Sequence, residues 1–337
     1  MRKSRGLTHT DPSGGSGTPD GRGDLGSPRD GIPHASAGPR GRARRLCRWG
    51  ALALLVAVLA GGTTAGTLAA ADGAAATTAH ARVGGSQVTC SSDDGGLADR
   101  LSRRMATALR ERHGSTAVAL YDRSTDTSCT YRAHSRYDSA SVVKATLLGA
   151  LLRQAEEDHH RKLTPVEKKR ATAMITKSDN DSTTALWREV SRGGVQHFLD
   201  LARMRDTEPG RHGYWGLTQI TAHDEVKLLK LLTSRNRVLD AKSRAYALRL
   251  MNKVDDGQRW GTPAGAPKDA TVHVKNGWLS RAEHGWRVNS VGAFTGSGHD
   301  YGIAVLSQDN KTMDRGIETV EAASRAIHRE LAATGTH

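Results

Sequence analysis

The chain has 337 residues, which is long enough for one large domain or two small ones. Its formal net charge is +14, but the basic residues are mixed with acidic ones, and no basic patch is interleaved with aromatic residues, which argues against a nucleic-acid partner. Aromatic residues make up 4% of the chain, so the sequence predicts an aliphatic, helix-rich core.

The N-terminal part of the chain differs in composition from the rest. Residues 1–45 are rich in small residues, proline and arginine without a sustained apolar period, so they are predicted to be a disordered basic region. Residues 46–72 hold an uncharged run from Trp49 to Ala71 behind a cluster of arginines, which is typical of a signal peptide or a membrane anchor. The sequence leaves both alternatives open, with residues 49–71 as the membrane contact if the segment is not cleaved. Either alternative predicts an extracytoplasmic location for the rest of the chain.

The next segment, residues 73–92, is predicted to be a linker, and residues 93–335 are predicted to form the folded domain. Within the linker, Ala79-His80-Ala81 has the small-x-small pattern of a signal cleavage site. Because disulfides persist outside the cytoplasm, Cys90 and Cys129 are predicted to pair, with two buried thiols as the alternative. We expect a monomer without a cofactor. No metal ion is expected either, since no H-E-x-x-H or similar ligand motif is present.

Hydrophobic periodicity predicts the elements of the folded domain. A helical period over Leu97–Arg112 precedes two β-type runs, Ser115–Tyr121 and Thr127–Arg132, which are expected to form a hairpin. The helices predicted next are Ser141–Arg153, Pro165–Lys177, Ser182–Val190, Ala222–Leu232 and Leu239–Val254. The strands Thr271–Lys275, Trp286–Phe294 and Gly302–Ser307 and the helix Arg315–Leu331 follow them. This order predicts an α+β fold, in which both chain ends complete one antiparallel sheet around a helical insert.

Ser141 and Lys144 form the only S-x-x-K pattern in the chain, at the start of a helix that is apolar on nearly every side. Side chains three residues apart on a helix lie on one face. Burial lowers the pKa of a lysine, and a neutral amine beside a hydroxyl is a base that activates this nucleophile. The alternative is a lysine that extends its ammonium group into solvent.

Two further motifs follow in the chain. Ser178-Asp179-Asn180 precedes a predicted helix, where such a cluster alone indicates an N-cap. Lys275-Asn276-Gly277 ends a predicted strand, where Asn-Gly alone indicates a hairpin turn. Together with S-x-x-K, the two motifs stand in the order of the signature of class A β-lactamases and penicillin-binding proteins.

The chain therefore resembles a class A β-lactamase, and thus the superfamily of penicillin-recognising serine hydrolases, from about Leu97 to Leu331. Beyond the three motifs, the resemblance extends over Tyr131–Lys144, Met174–Leu186 and Tyr214–Ala222. It implies a β-lactamase/transpeptidase-like α+β fold with a five-stranded antiparallel sheet flanked by helices, an all-helical lobe, and an active site between the sheet and the lobe.

The resemblance also implies a role for each motif residue. Ser141 attacks a carbonyl carbon while Lys144 takes its proton, and Ser178 relays a proton to the leaving nitrogen. The residues implied in substrate binding are Asn180, Lys275, Asn276, Gly277 and Trp278. Among these, Asn180 positions the lysine and the substrate, and Lys275 holds the substrate carboxylate. The N–H groups of Ser141 and Trp278 form an oxyanion hole.

Three features depart from the family pattern. Asn276 replaces the usual Thr or Ser of the third motif, which removes one hydroxyl contact to the substrate carboxylate. Only 37 positions separate Ser141 from Ser178, so part of the rim of the helical lobe is expected to be missing. The family's deacylating glutamate is followed four residues later by Asn, whereas Glu208, in the corresponding region, is followed by His212. Glu208 is the candidate deacylation base, with an exposed loop glutamate as the alternative.

Three functions remain open at this point. The first is a hydrolase of β-lactam amides, which the motif set favours. The second is a penicillin-binding D-alanyl peptidase or esterase that acts on cell-wall peptides and deacylates slowly, as the departure at Glu208 implies. The third is a catalytically idle wall-binding module that keeps the fold.

Overall fold

The computed structural model describes residues 76–159 and 161–333, so the segments predicted at 1–45 and 46–72 lie outside the described residues. The α-helices of the described part are α1 (Leu97–Arg110), α2 (Val143–His159), α3 (Pro165–Thr176), α4 (Asn180–Leu201), α5 (Ala222–Thr233), α6 (Ala241–Asn252) and α7 (Met313–Ala332). Its strands are β1 (Thr77–Val83), β2 (Ser86–Ser92), β3 (Ser115–Asp122), β4 (Thr127–Tyr131), β5 (Tyr137–Asp138), β6 (Gln219–Ile220), β7 (Thr271–Ser280), β8 (Trp286–Gly296) and β9 (His299–Asn310). None of these helices has the length and apolar character needed to cross a bilayer.

Seven strands form one antiparallel sheet in the order β1-β2-β4-β3-β9-β8-β7, and β5 and β6 form a separate short pair. β3 is the middle strand and is buried on both faces, which explains why its sequence shows no polar alternation. Its side chains alternate between two cores: Ala117 and Ala119 face the helical lobe, whereas Val118 and Leu120 face α1 and α7. The α+β fold predicted from the element order is confirmed.

The predicted number of five strands is too low, because residues 77–92 do not form a linker. They form the hairpin β1–β2, whose two-residue turn is Gly84-Gly85 and whose second strand pairs with β4. Gly84 has a positive φ of 56°, which glycine adopts at little cost in a tight hairpin turn. The segment is largely polar because β1 is an edge strand, and its predicted cleavage triplet Ala79-His80-Ala81 lies within that strand.

The pairing predicted for the two cysteines is confirmed by a disulfide between Cys90 and Cys129. The two residues lie directly opposite each other in the β2–β4 ladder, and both are buried. The disulfide therefore joins the N-terminal hairpin to the strands that the sequence predicted.

The helical lobe is built around α2. Residues 143–152 of this helix are buried on all sides because they lie inside the lobe, against α3, α4 and α6. Gly149 lets the ring of Phe198 on α4 approach α2, since a Cβ atom on Gly149 would lie 2.4 Å from the ring carbon Cζ. α4 is longer than predicted and bends at Ser191, where the backbone leaves helical geometry. The lobe covers one face of the sheet, and α1 and α7 cover the other.

Candidate active site

Ser141 lies in a single 3₁₀ turn, Ala140–Val142, that leads into α2. Ala140, the residue before the serine, has a φ of 46°, which is strained for a residue with a side chain. Two contacts from other elements hold this segment: Ser139 N donates to Thr218 O at 2.8 Å, and Asn289 Nδ2 of β8 donates to Asp138 O at 2.9 Å. The strained turn is therefore fixed by the surrounding fold.

Gly277 brings the edge strand β7 against this turn. A Cβ atom at Gly277 would lie 2.6 Å from Ser141 N and 2.9 Å from Ser139 O, so a larger residue does not fit. The Asn-Gly pair consequently serves a close backbone approach, and the hairpin turn that this pair alone indicates is absent. β7 runs through the pair to Ser280 instead of ending at Lys275.

Lys144 is fully buried one turn after Ser141 and does not extend into solvent. Its Nζ atom donates to Ser178 O at 2.6 Å, Ser178 Oγ at 3.0 Å and Asn180 Oδ1 at 2.8 Å. The first two motifs therefore meet through this amine, as their order in the sequence predicted.

Burial of Lys144 favours a neutral amine, whereas its oxygen contacts and the ring of Trp215 favour the charged form. Burial lowers its pKa from 10.5 to about 7, and the Asp179 carboxylate opposes part of this shift. The ring of Trp215 lies 4.9 Å from Nζ, and its Nε1 donates to Thr184 Oγ1 at 3.2 Å. Near neutral pH, the amine is thus divided between a form that can accept a proton and one that can donate it.

Lys275 approaches Ser178 from the sheet side. This lysine is fully buried, and its Nζ atom donates to Ser178 Oγ at 3.2 Å and to Asn276 O at 2.8 Å. Burial, reinforced by the nearby charge of Lys144, holds the pKa of Lys275 well below its usual value. Ser178 Oγ therefore lies between two buried amines, one from each half of the domain.

The second motif combines both interpretations that its sequence allowed. Asp179 caps α4, since its carboxylate accepts from Ser182 N at 2.7 Å, whereas its neighbours Ser178 and Asn180 contact Lys144. Ser178 has a φ of 56°, the second strained non-glycine residue in this cleft. The cap fixes the backbone from which the two contacting side chains extend.

Asn276 and Trp278 lie two residues apart on β7 and share the face opposite to Lys275. Asn276 Nδ2 donates to Gln258 O and Trp260 O, each at 2.8 Å, so its amide binds protein backbone on the face opposite to Lys275. Trp278 is half-buried, and its ring contacts that of Trp260 at 5.8 Å between centroids. The substrate contact implied for Asn276 is therefore not available to the Nδ2 group in this arrangement.

Glu208 lies outside this lysine cluster. Its backbone pairs with Gln219, and its side chain is 40% exposed. Three arginines surround the carboxylate: Arg211 at 3.1 Å, Arg136 at 3.7 Å and Arg192 at 3.9 Å. No contact joins Glu208 to Lys144 or Ser178 in the described part of the chain, and His212 is exposed in the loop that follows.

The two other glutamates between the second and third motifs also lie apart from the lysines. Glu189 forms an ion pair with Arg170 at 3.6 Å on the outside of the lobe. Glu225 on α5 is fully buried without a hydrogen-bond partner, and burial, reinforced by Asp224, raises its pKa to about 8. A carboxylate in contact with Lys144 is thus absent from the described residues.

Sequence reasoning missed two residues that shape this site. Trp215 lies within the segment Tyr214–Ala222 that resembles the family, but the pattern gave no reason to place its ring over Lys144. Asn289 lies in the middle of the buried strand β8, where a buried asparagine indicates a specific hydrogen bond. The sequence contains this signal, but it does not indicate that the partner of Asn289 is the backbone of Asp138.

Comparison with known proteins agrees with the fold. Residues 168–331 match the model of the β-lactamase enzyme family, and no curated protein matches the sequence significantly. Among solved structures, a variant of the class A β-lactamase of the last common ancestor of Gram-negative bacteria is 23% identical, with a TM-score of 0.59 over 70% of this chain and 98% of that one. A β-lactamase from Xanthomonas campestris pv. campestris is 17% identical, with a TM-score of 0.60 over 70% of this chain and 98% of that one.

A variant of the TLA-1 extended-spectrum β-lactamase has a TM-score of 0.61 at 17% identity, over 69% of this chain and 98% of that one. At these identities the solved structures establish the fold, and the family match supports a β-lactamase-like hydrolase. The resemblance predicted from the motifs is therefore confirmed: the chain has the fold of the class A β-lactamases, and residues 168–331 match the β-lactamase enzyme family.

Proposed function

We propose that the protein is a serine hydrolase that is acylated at Ser141 by β-lactams. The observation that carries this proposal is the position of Ser178 Oγ, 3.0 Å from Lys144 Nζ and 3.2 Å from Lys275 Nζ, with Lys144 one helical turn after Ser141. Two buried amines around one hydroxyl are costly to maintain for structure alone, because each lysine is removed from water without a carboxylate partner.

The proposed reaction begins with attack of Ser141 Oγ on the carbonyl carbon of the β-lactam amide. The hydroxyl proton passes to the neutral amine of Lys144, the C–N bond of the ring breaks, and the nitrogen takes a proton through Ser178. The N–H groups of Ser141 and Trp278 stabilise the oxyanion, and such donors typically contribute several kcal/mol to the lowering of the barrier. A substrate carboxylate beside Lys275 would offset the cost of its buried charge. Water then hydrolyses the ester and restores Ser141.

A second function is favoured by one specific observation, the arginine contacts of Glu208. A carboxylate held by three arginines is poorly placed to activate a water, so the acyl-enzyme is expected to be long-lived. A penicillin-binding D-alanyl peptidase or esterase that acts on cell-wall peptides would have this property.

We also propose that the domain acts outside the cytoplasm as a monomer. The disulfide between Cys90 and Cys129 supports export, because structural disulfides persist in oxidising compartments. Accessibility of the full chain to an external protease in intact cells tests this location.

The test of the function is acylation of the full chain by a fluorescent penicillin, followed by intact mass against time. Ser141→Ala is expected to lower the labelling rate at least about a thousandfold, because nothing replaces the nucleophile. The matched control Ser128→Ala changes an exposed serine of β4 and should label normally. A transient adduct together with turnover of a chromogenic cephalosporin identifies the β-lactam hydrolase, and a persistent adduct identifies the slowly deacylating enzyme. Absence of any adduct would leave the idle module.

A further inference from the structure

Three side chains from distant parts of the sequence meet on the surface beside the start of α5. They are His134 after β4, Asp206 in the segment before Glu208, and His223 in the first turn of α5. One ligand atom from each lies within 4.8 Å of those of the other two, and no other three His, Cys, Asp or Glu residues form such a group in the part of the chain that the structure describes. We refer to these three residues as the His-Asp-His cluster.

The side-chain nitrogen and oxygen atoms of the three residues are close enough together to contact one ion. Asp206 Oδ2 lies 2.8 Å from His134 Nδ1 and 3.8 Å from His223 Nδ1, and the two imidazole rings are 4.2 Å apart between centroids. His223 Nδ1 is buried and makes no hydrogen bond within the described residues. A buried ring nitrogen without a partner is costly, so this atom requires an explanation.

The backbone holds the three residues in register with one another. His223 N donates to Ala133 O at 3.0 Å, which ties α5 to the residue before His134. The fully buried Asp224 carboxylate accepts from Asp206 N at 2.8 Å and from Thr207 Oγ1 at 2.9 Å. These bonds tie the segments that carry Asp206 and His223 to each other and to the residue before His134, so the three side chains start from fixed backbone positions.

We propose that the His-Asp-His cluster binds one first-row transition-metal ion of the Zn²⁺ type. Two imidazole nitrogens and one carboxylate oxygen are three of the ligands that Zn²⁺ accepts, and tetrahedral coordination separates them by about 3.3 Å. The observed separations of 2.8 and 3.8 Å bracket this value. The side chains are 67%, 39% and 36% exposed for His134, Asp206 and His223, which leaves room for water as a fourth ligand.

The donor set also selects among metal ions. Ca²⁺ and Mg²⁺ require mostly oxygen ligands, of which the cluster offers one residue, so neither is expected to bind. On binding, the metal replaces the proton shared by His134 and Asp206 and links the loop after β4, the segment before Glu208 and the start of α5. The sequence predicted no metal because His134 and Asp206 are 72 positions apart and belong to no ligand motif. The proposal does not depend on acylation of Ser141.

The experiment measures Zn²⁺ binding to the metal-free full chain, prepared without a histidine tag, by titration calorimetry and by the shift in melting temperature. The expected result is one high-affinity Zn²⁺ per chain and a rise in melting temperature, since a ligand that binds the folded state stabilises it. Mg²⁺ and Ca²⁺ at the same concentration should produce neither effect.

The variants His134→Ala and Asp206→Asn should each weaken Zn²⁺ binding at least about a hundredfold, since even outer-shell changes cost ten- to a hundredfold. The matched control is His284→Ala, which breaks a His–Asp pair of the same 2.8 Å length that lacks a second imidazole from elsewhere in the chain. Melting of the metal-free variants verifies folding, and His134, the most exposed ligand, is the substitution least expected to disturb it. No binding by the parent chain, or equal binding by parent and both variants, would overturn the proposal.

Discussion

Two charged regions of the molecule differ in burial: the first is proposed to act in acylation, and the second holds the candidate deacylation base Glu208. The lysine cluster, formed by Lys144, Lys275 and Ser178, is buried, and its amines contact only hydroxyl, amide and carbonyl oxygen atoms and a tryptophan ring. The arginine cluster around Glu208 is partly exposed, and its three guanidinium groups surround one carboxylate. Burial without a counter-charge shifts the pKa of a charged group, whereas an exposed ion pair contributes little to stability. The comparison teaches that the buried region has the perturbed amines that the proposed acylation requires, whereas the region around Glu208 has the character of an ordinary charged surface.

The largest expected effect comes from removing the base. Lys144→Met should lower the second-order rate of penicillin labelling about a thousandfold, because the proton of Ser141 loses its acceptor. The control Lys169→Met removes an exposed lysine of α3 and should label at the parental rate. A Lys144→Met chain that is folded by circular dichroism and labels within tenfold of the parent would contradict the role of this amine.

The pH dependence of labelling examines the same amine without a substitution. Because burial lowers the pKa of Lys144 to about 7, its accepting, neutral form is scarce at pH 6 and dominant at pH 8. The labelling rate should therefore rise with pH and reach half its maximum near pH 7. A midpoint near 10, the ordinary range of lysine, would show that the amine is solvated in the working protein.

The next largest effect is expected at the hydroxyl between the amines. Ser178→Ala should lower labelling about a hundredfold, since the leaving nitrogen loses its proton relay while Ser141 and Lys144 remain. Ser182→Ala is the matched control, because Ser182 contacts the Asp179 carboxylate of the helix cap and neither of the two lysines. Equal rates for both variants would remove Ser178 from the mechanism.

The lysine cluster could be predicted from the sequence, whereas the residues that surround it could not. Motif order predicted that Lys144, Ser178 and Lys275 lie close together, and the structure joins them by hydrogen bonds. The sequence was misleading at Gly277, since an Asn-Gly pair looks the same in a turn and in a strand that approaches another backbone. Only the tertiary structure separates the two.

The same limit explains the missing hairpin and the unpredicted cluster. Residues 77–92 have the composition of a linker because an edge hairpin buries few apolar side chains, and only the Gly84-Gly85 pair indicates a turn. His134, Asp206 and His223 come together through main-chain bonds between distant segments, which no periodicity records. Both failures arise where long-range contacts determine the structure, whereas the helices and central strands, which periodicity describes, were located correctly.

The smallest effect is expected at Glu208. Glu208→Gln should change the decay rate of the acyl-enzyme, followed by intact mass, less than about threefold, because exposed ion pairs contribute little and the carboxylate is already held by arginines. Glu189→Gln, which removes another partly exposed ion-paired glutamate, is the control. If the acyl-enzyme of Glu208→Gln instead persisted at least a hundredfold longer than that of the control, the arginines would have to release Glu208 during turnover. The contrast between a buried acylating cluster and a passive surface would then fail.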